Sequence, residues 1–376
     1  MRILWNELKK ILTWKMMFLL VLVNSVVFFL RIEFYIEYFP NGSGIYSYDI
    51  GVEMIDKYGT QMDDEEFLDF KEVYDLQVKE ADQYLQPLKG FVDAGIDSYE
   101  KFNTYDWGSS SEEVYQLRNN VYHEDKVDTF WELQERERLI EFYEMKEVLP
   151  GFDNAKQEKR YKELIAAEKY GVYPSVAIEN FREFITNVAI AILFSVVLVI
   201  SPMILRDRSR QLLALQYTSK KGRNLYKTKI LAGLVATFIV ITSLLTVYFS
   251  IYSLNKTSMY FDIGMNTFIG NESWYDPTFY QYIWLTVAAI YVVGFVFGLL
   301  AMSFSSIVPN TMALIGIQIP FIIGMLIFGM RPLIKYFILI WNPQWLAPTA
   351  YNTMVVVSVL FINYLWKREK KRDIVS

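Results

Sequence analysis

The chain contains no cysteine and a single histidine, His123. Without thiols there is no disulfide, no thiol nucleophile and no zinc–thiolate site. One histidine cannot build an HExxH zinc site or a Ser-His-Asp triad. No GxxxxGK[ST] phosphate loop occurs, so the chain does not itself hold a Walker-type nucleotide. Charge is missing from five long stretches, 16–30, 184–205, 230–255, 277–330 and 336–366, which are too long and too apolar for a soluble core. A soluble single-domain enzyme is thereby excluded, and no catalytic, cofactor or metal site is expected.

The charge that is present is segregated. Residues 34–178 hold 32 acidic and 15 basic residues, a net of −17, while the rest holds 10 acidic and 22 basic, a net of +12. The large polar segment would repel phosphate, which argues against nucleic acid as a partner.

A helix needs about 20 apolar residues to cross a hydrocarbon core ~30 Å thick. The 54 uncharged residues of 277–330 suffice for two spans, with Pro309-Asn310 as the turn between them. Pro343 and Pro348 push the last span into the second half of its run. Six helices are predicted, at roughly 14–33, 184–205, 230–252, 279–303, 311–330 and 349–366. The sequence 31–35 lacks the small residues of a cleavage site, so the first span reads as a retained anchor.

Basic residues in short flanks set the orientation. Residues 1–15 carry four, 206–229 carry eight and 367–376 carry five. Six spans put these three segments on one side, read as cytoplasmic, together with both termini. The expected fold is therefore an all-α polytopic membrane protein with a mostly helical extracytoplasmic domain. Its parts are an amphipathic N-terminal helix and first span (1–33), the acidic domain (34–178), and five further spans (179–376). In the acidic domain, apolar spacing predicts helices over 63–86, 111–122, 127–148 and 154–169, the first opening with a capping box at Thr60-Gln61-Met62-Asp63. Glu132, Glu135, Arg136 and Lys146 are placed on exposed faces. The proline-broken segment 336–348 reads either as a re-entrant piece or as an interfacial tryptophan belt.

Ionisable residues are absent from the span centres, which weighs against an ion-driven carrier. Neutral polar residues remain, and Asn24, Asn187 and Gln318 are candidates for a substrate path, or for plain hydrogen bonding between helices. Gly294 and Gly298 form a GxxxG spacing that specifies close packing. At the N-terminus, Leu4, Leu8, Ile11 and Leu12 share one helical face opposite Asn6, Glu7, Lys9 and Lys10, a pattern suited to the membrane interface. The 206–229 loop is longer than a turn needs to be and carries an apolar stripe at Leu212, Leu213 and Leu215. Such a stripe has no use in a solvated loop and points to a docking partner. Ser219 is a candidate cap for a second helix running into the third span.

This layout resembles the permease subunit of an ABC-2-type (type V exporter-like) ABC transporter. The resemblance rests on six spans, an amphipathic N-terminal helix, a cytoplasmic loop after the second span and a broken segment before the sixth. In the loop, Asp207, Leu212, Leu213, Ser219, Gly222, Arg223 and Lys229 follow the family's order. Arg210-Gln211 stands where the family has Gly-Thr, and the usual proline is absent. The resemblance implies a separate ATP-hydrolysing subunit coupled through Asp207, Arg210, Leu212, Leu213, Ser219, Gly222, Arg223 and Lys229. It also implies a second permease copy or paralogue, a cell-membrane location in the bilayer, and export, with a cationic peptide or antibiotic as candidate substrate. The other expectation is a membrane-anchored sensor or immunity protein that binds an extracellular ligand without transporting it.

Overall fold

The computed structural model describes residues 2–124, 127–148, 150–212 and 222–371. Among these the chain is helical, with no strand beyond the isolated bridges Tyr173–Phe268 and Gly264–Thr278. It divides into two compact units: Met1–Phe39 with Glu179–Lys256 and Tyr280–Ser376, and Pro40–Ile178 with Thr257–Phe279.

The first unit contains all six expected spans: Trp14–Ile32, Val176–Ser209, Leu225–Asn255, Phe279–Ile307, Thr311–Gly329 and Leu346–Lys370. Several run past their uncharged stretch, because polar residues at the ends continue the helix. In the second span, Arg182 pairs with Glu179 at i,i+3 (2.6 Å) and keeps the turn before residue 184 helical. The most apolar window of this span is 78% buried and that of the fourth 61%, against 17% for the first, fifth and sixth, so the second and fourth spans form the centre of the bundle. Close packing of the third and fourth spans follows from absent side chains. A Cβ on Gly298 would lie 2.7 Å from Oγ1 of Thr237, one on Gly294 would strike Ile241, and one on Gly233 would strike Met302. The GxxxG pair thus serves helix packing, as its spacing predicts.

Between the fifth and sixth spans the chain takes a π-helical turn, Arg331–Lys335. Ile338, Leu339 and Ile340 are buried while Trp341 and Trp345 are exposed. The backbone oxygens freed here are met by protein: the Tyr282 hydroxyl donates to the Lys335 carbonyl (2.7 Å) and the Tyr351 hydroxyl to the Leu333 carbonyl. That is the condition under which broken backbone is tolerated at membrane depth.

The second unit is built on a core of Leu85, Phe91, Phe102, Phe130, Leu133 and neighbours. Helices form at Asp64–Leu85, Glu112–Asn119, Asp128–Glu144 and Ala155–Ala166, near the expected ranges. The capping box sits three residues later than read. Asp63 is the cap, accepting from the amides of Glu65 and Glu66 (2.9 and 2.8 Å), while Glu66 accepts from the Asp63 amide (3.0 Å). The helix Gly44–Tyr58 replaces what its glycines suggest is a loose segment. Gly51 is there because a side chain would run into Tyr260 and Pro174. Arg136, placed on an exposed face by the sequence, is 2% exposed; it pairs with Glu53 and lies 5.1 Å from the Phe70 ring. Residues 257–279 fold into this unit: Arg160 donates to the Ser273 carbonyl (3.0 Å) and pairs with Asp276 (2.8 Å), and the Val172 amide donates to the Thr267 carbonyl (2.9 Å).

Candidate functional site

The first helix, Arg2–Ile11, is amphipathic as its spacing predicts. Leu8 and Ile11 are buried, and so is Glu7, which lies on the polar face. The helix packs along the third span, and Glu7 meets Lys229, which in turn pairs with Asp207 at the other edge of the 206–229 loop. Glu7 and Asp207 are each 4% exposed and Lys229 is 1% exposed. The Lys229 ammonium pairs with Asp207 and lies 3.9 Å from Glu7, while Lys10 supplies a second cation to Glu7 at 2.6 Å. Buried ions carry a desolvation cost of several kcal/mol each unless paired. Two carboxylates between two ammonium groups balance that cost, and they fix the N-terminal helix, the end of the second span and the start of the third together.

The neighbouring arginines extend the block. The Arg206 guanidinium donates to the Lys10 carbonyl (3.0 Å). The Arg208 guanidinium donates to the carbonyls of Val308 (2.8 Å) and Ser306 at the end of the fourth span. A cation there meets the unsatisfied carbonyls and negative dipole end of that helix. The Leu205 amide donates to the Ser305 hydroxyl (3.0 Å). These contacts bring the segments 1–15 and 206–229, which the charge pattern groups together, to one end of the bundle.

Of the other predicted loop residues, Arg210 is exposed and caps the short helix Pro202–Ser209, its amide donating to the Arg206 carbonyl (3.2 Å). Gln211 follows with φ +54°, and Leu212 is half-buried. Gly222, with φ +50°, opens the 3-10 turn leading into the third span. Leu213 and Ser219 lie outside the described residues, as does the side chain of Arg223.

The three candidates for a substrate path occupy separate places. Asn24 ties three spans together: its amide group donates to Ser195 Oγ (2.8 Å) and the Leu20 carbonyl (2.9 Å), and its oxygen accepts from the Tyr248 hydroxyl (3.0 Å). Both amide hydrogens are used, which is the pattern of a structural tie. Asn24 also borders a groove of about 460 Å³ between the first and third spans. Asn187 accepts from the Arg31 guanidinium (2.7 Å). Gln318 donates to Ser201 Oγ (2.7 Å) and lines a hollow of about 620 Å³ between the second and fifth spans.

A fourth polar centre escaped the sequence reading. Arg182 is completely buried, with Nη1 donating to Glu179 (2.6 Å) and its guanidinium between the rings of Tyr282 and Tyr336 at 5.5 and 5.1 Å. Lys335 pairs with the adjacent Glu183. The signal was the spacing of Glu179 and Arg182, masked because both lie outside the uncharged run.

In the second unit the acid groups keep their charge in mild acid where they are partnered. Hydrogen bonds from Tyr143 (2.5 Å) and Lys146 (3.0 Å) hold Asp64 below the usual carboxylate range, and Lys57 and Tyr58 do the same for Asp69. Burial pushes Glu137 upward, and burial with the Asp128 hydrogen bond pushes the Tyr46 hydroxyl up to about 12. His123 is exposed, and among the described residues no cluster that could hold a metal ion occurs.

Comparison with curated proteins and with solved structures finds no match. A family model described as ABC-2 family transporter protein matches residues 11–365, a stretch that reaches into all six spans and includes the whole second unit. The chain belongs to this family and is a membrane permease of an ABC transporter.

Proposed function

We propose that this permease is the membrane-spanning half of an exporter driven by a separate ATP-hydrolysing subunit, which seats on the 206–229 loop and the N-terminal helix. A second copy or a paralogue completes the pathway. Both termini are cytoplasmic in a plasma membrane, and the chain performs no covalent chemistry. The observation that carries the coupling role is the buried Glu7–Lys229–Asp207 cluster. It joins both ends of the loop and the first helix, so that a force applied there reaches the first three spans together. Replacing Leu212 and Leu213 with Asp puts charge into the docking face. The double variant is expected to lose ATP-driven transport and co-purification with the nucleotide-binding subunit while inserting normally. Normal assembly and transport would reduce the loop to a basic flank.

For the substrate we propose a cationic peptide or antibiotic. The support is the net charge of −17 on residues 34–178, which attracts cations over about a Debye length, ~8 Å at physiological salt. The full chain is expected to bind a cationic peptide at low ionic strength and to release it steeply as salt rises. Binding that is absent at low salt, or indifferent to salt, would leave the acidity as a solubility feature.

A further inference from the structure

The second unit contains four arginines, and three of them pair with acids: Arg136 with Glu53, Arg138 with Glu135 (2.6 Å) and Arg160 with Asp276 (2.8 Å). Arg118 does not. It donates no hydrogen bond and meets no carboxylate among the described residues, although residues 34–178 carry a net charge of −17. Its guanidinium carbon lies 4.9 Å from the centroid of the Trp107 ring and 5.6 Å from that of Tyr122. Both rings are themselves fixed. The indole N–H of Trp107 donates to the Phe102 carbonyl (3.2 Å), the Tyr122 hydroxyl accepts from the Gln134 amide group (2.6 Å), and both side chains pack against the core around Phe102 and Phe130. Arg118 is half-buried; its Nε is shielded, which leaves the two terminal nitrogens as the donors that a ligand can reach.

A guanidinium held against two fixed rings is ready to meet a carboxylate with parallel N–H···O bonds, and little side-chain freedom is left to lose on binding. The surroundings decide which carboxylate. Asp106, beside Trp107, and Glu112 and Glu113, on the helix that carries Arg118, are exposed acids. Such a surface repels a free anion but admits a carboxylate attached to a chain of positive charge. The end of a basic peptide has both parts. We propose that Arg118, clamped by Trp107 and Tyr122, binds the C-terminal carboxylate of a cationic peptide. This site, which rests on the cationic-substrate reading above, gives the acidic unit a point of recognition and sets a requirement on the peptide's end.

The test titrates the purified full chain, at low ionic strength in a calorimeter, with two probes: oligolysine with a free C-terminal carboxylate and the same oligolysine as its C-terminal amide. Amidation raises the net positive charge, so a plain acidic field favours the amide. Wild type is expected instead to bind the free acid about ten-fold more tightly, the contribution of hydrogen bonds to a charged group. Arg118→Gln should reverse the order, so that the amide binds at least as tightly as the acid. Arg118→Lys, which keeps the charge but not the fork, should retain only part of the preference. Lys156→Gln, which removes an exposed lysine of the same unit, should retain all of it. Elution and helical circular dichroism check the fold of each variant, and the comparison of the two probes on wild type needs no variant. Wild type that binds the amide as tightly as the acid overturns the proposal and leaves the cationic-substrate reading standing. So does a preference that survives in Arg118→Gln or that falls equally in Lys156→Gln. Binding of neither probe overturns both the proposal and that reading. Loss of the preference in millimolar inorganic phosphate at matched ionic strength would mark a phosphate site and overturn the carboxylate assignment.

Discussion

Arg136 carries a full charge at 2% exposure, with Glu53 as its ion-pair partner and the Phe70 ring beside it. Its Nε and Nη1 have no hydrogen-bond partner among the described residues, so its desolvation is offset mainly by one carboxylate and one ring. Glu53 is 40% exposed at the side chain and can rehydrate if the arginine is removed. The cost of truncation should therefore fall below that of breaking a fully buried pair, at about 1–3 kcal/mol. We expect Arg136→Ala to lower the thermal midpoint of the full chain and Arg136→Met, which keeps the packing volume, to lower it less. An unchanged midpoint in both would mean that the pair contributes nothing net. The sequence could not reveal this burial. Arg136 sits among Glu132, Glu135 and Arg138, an ordinary solvated face, and Glu53 is 83 residues away in another helix. Glu7 shows the same limit. It stands on the polar side of its helix, and only the fold supplies Lys229 and Asp207 as its company. Asp207 and Lys229 themselves were legible, because an acid after the second span and a lysine before the third mark the edges of the loop.

Gly233, Gly294 and Gly298 together let the third and fourth spans approach. Substituting Gly298 by Leu would drive four carbons into Thr237 Oγ1, and the helices would have to separate. Overpacking of this kind costs about 1–3 kcal/mol. Gly298→Leu is expected to reduce the yield of monodisperse protein and its thermal midpoint. Gly316→Leu should not, because nothing lies within 4 Å of a Cβ there. Equal behaviour of the two would show that the GxxxG face is not a tight interface. Among the elements, the spans were the most legible, since long uncharged runs admit little else. Their ends were less so, because a helix such as Val176–Ser209 continues through Glu179 and Arg182 on local ion pairing. The helix Gly44–Tyr58 was missed for a related reason. Glycine disfavours a helix interior, while Gly51 serves a close approach to Tyr260, about 200 residues further along the chain.

Across the whole molecule, charge and contact point to one arrangement. The basic segments 1–15, 206–229 and 367–376 were grouped by counting residues, and direct contacts gather their described parts at one end of the six-span unit: Lys10 with Arg206, Lys229 with Asp207, Lys227 and Lys370 with Trp366. The proposed orientation, with that end cytoplasmic, follows from this excess of basic residues. The proposed topology accordingly assigns the 40–178 insertion to the outside, from the charge balance of the segments alone. The absence of native cysteine makes the arrangement directly measurable. Ser109 is exposed and outside any helix, so a cysteine there disturbs no helix. Ser209 is exposed next to the basic cluster. In intact cells an impermeant maleimide is expected to label Ser109→Cys and not Ser209→Cys, and permeabilised cells should label both. Labelling of Ser209→Cys alone in intact cells would invert the topology. The acidic surface would then face the cytoplasm, and both the seat for the ATP-hydrolysing subunit and the export of a cationic substrate would have to be abandoned.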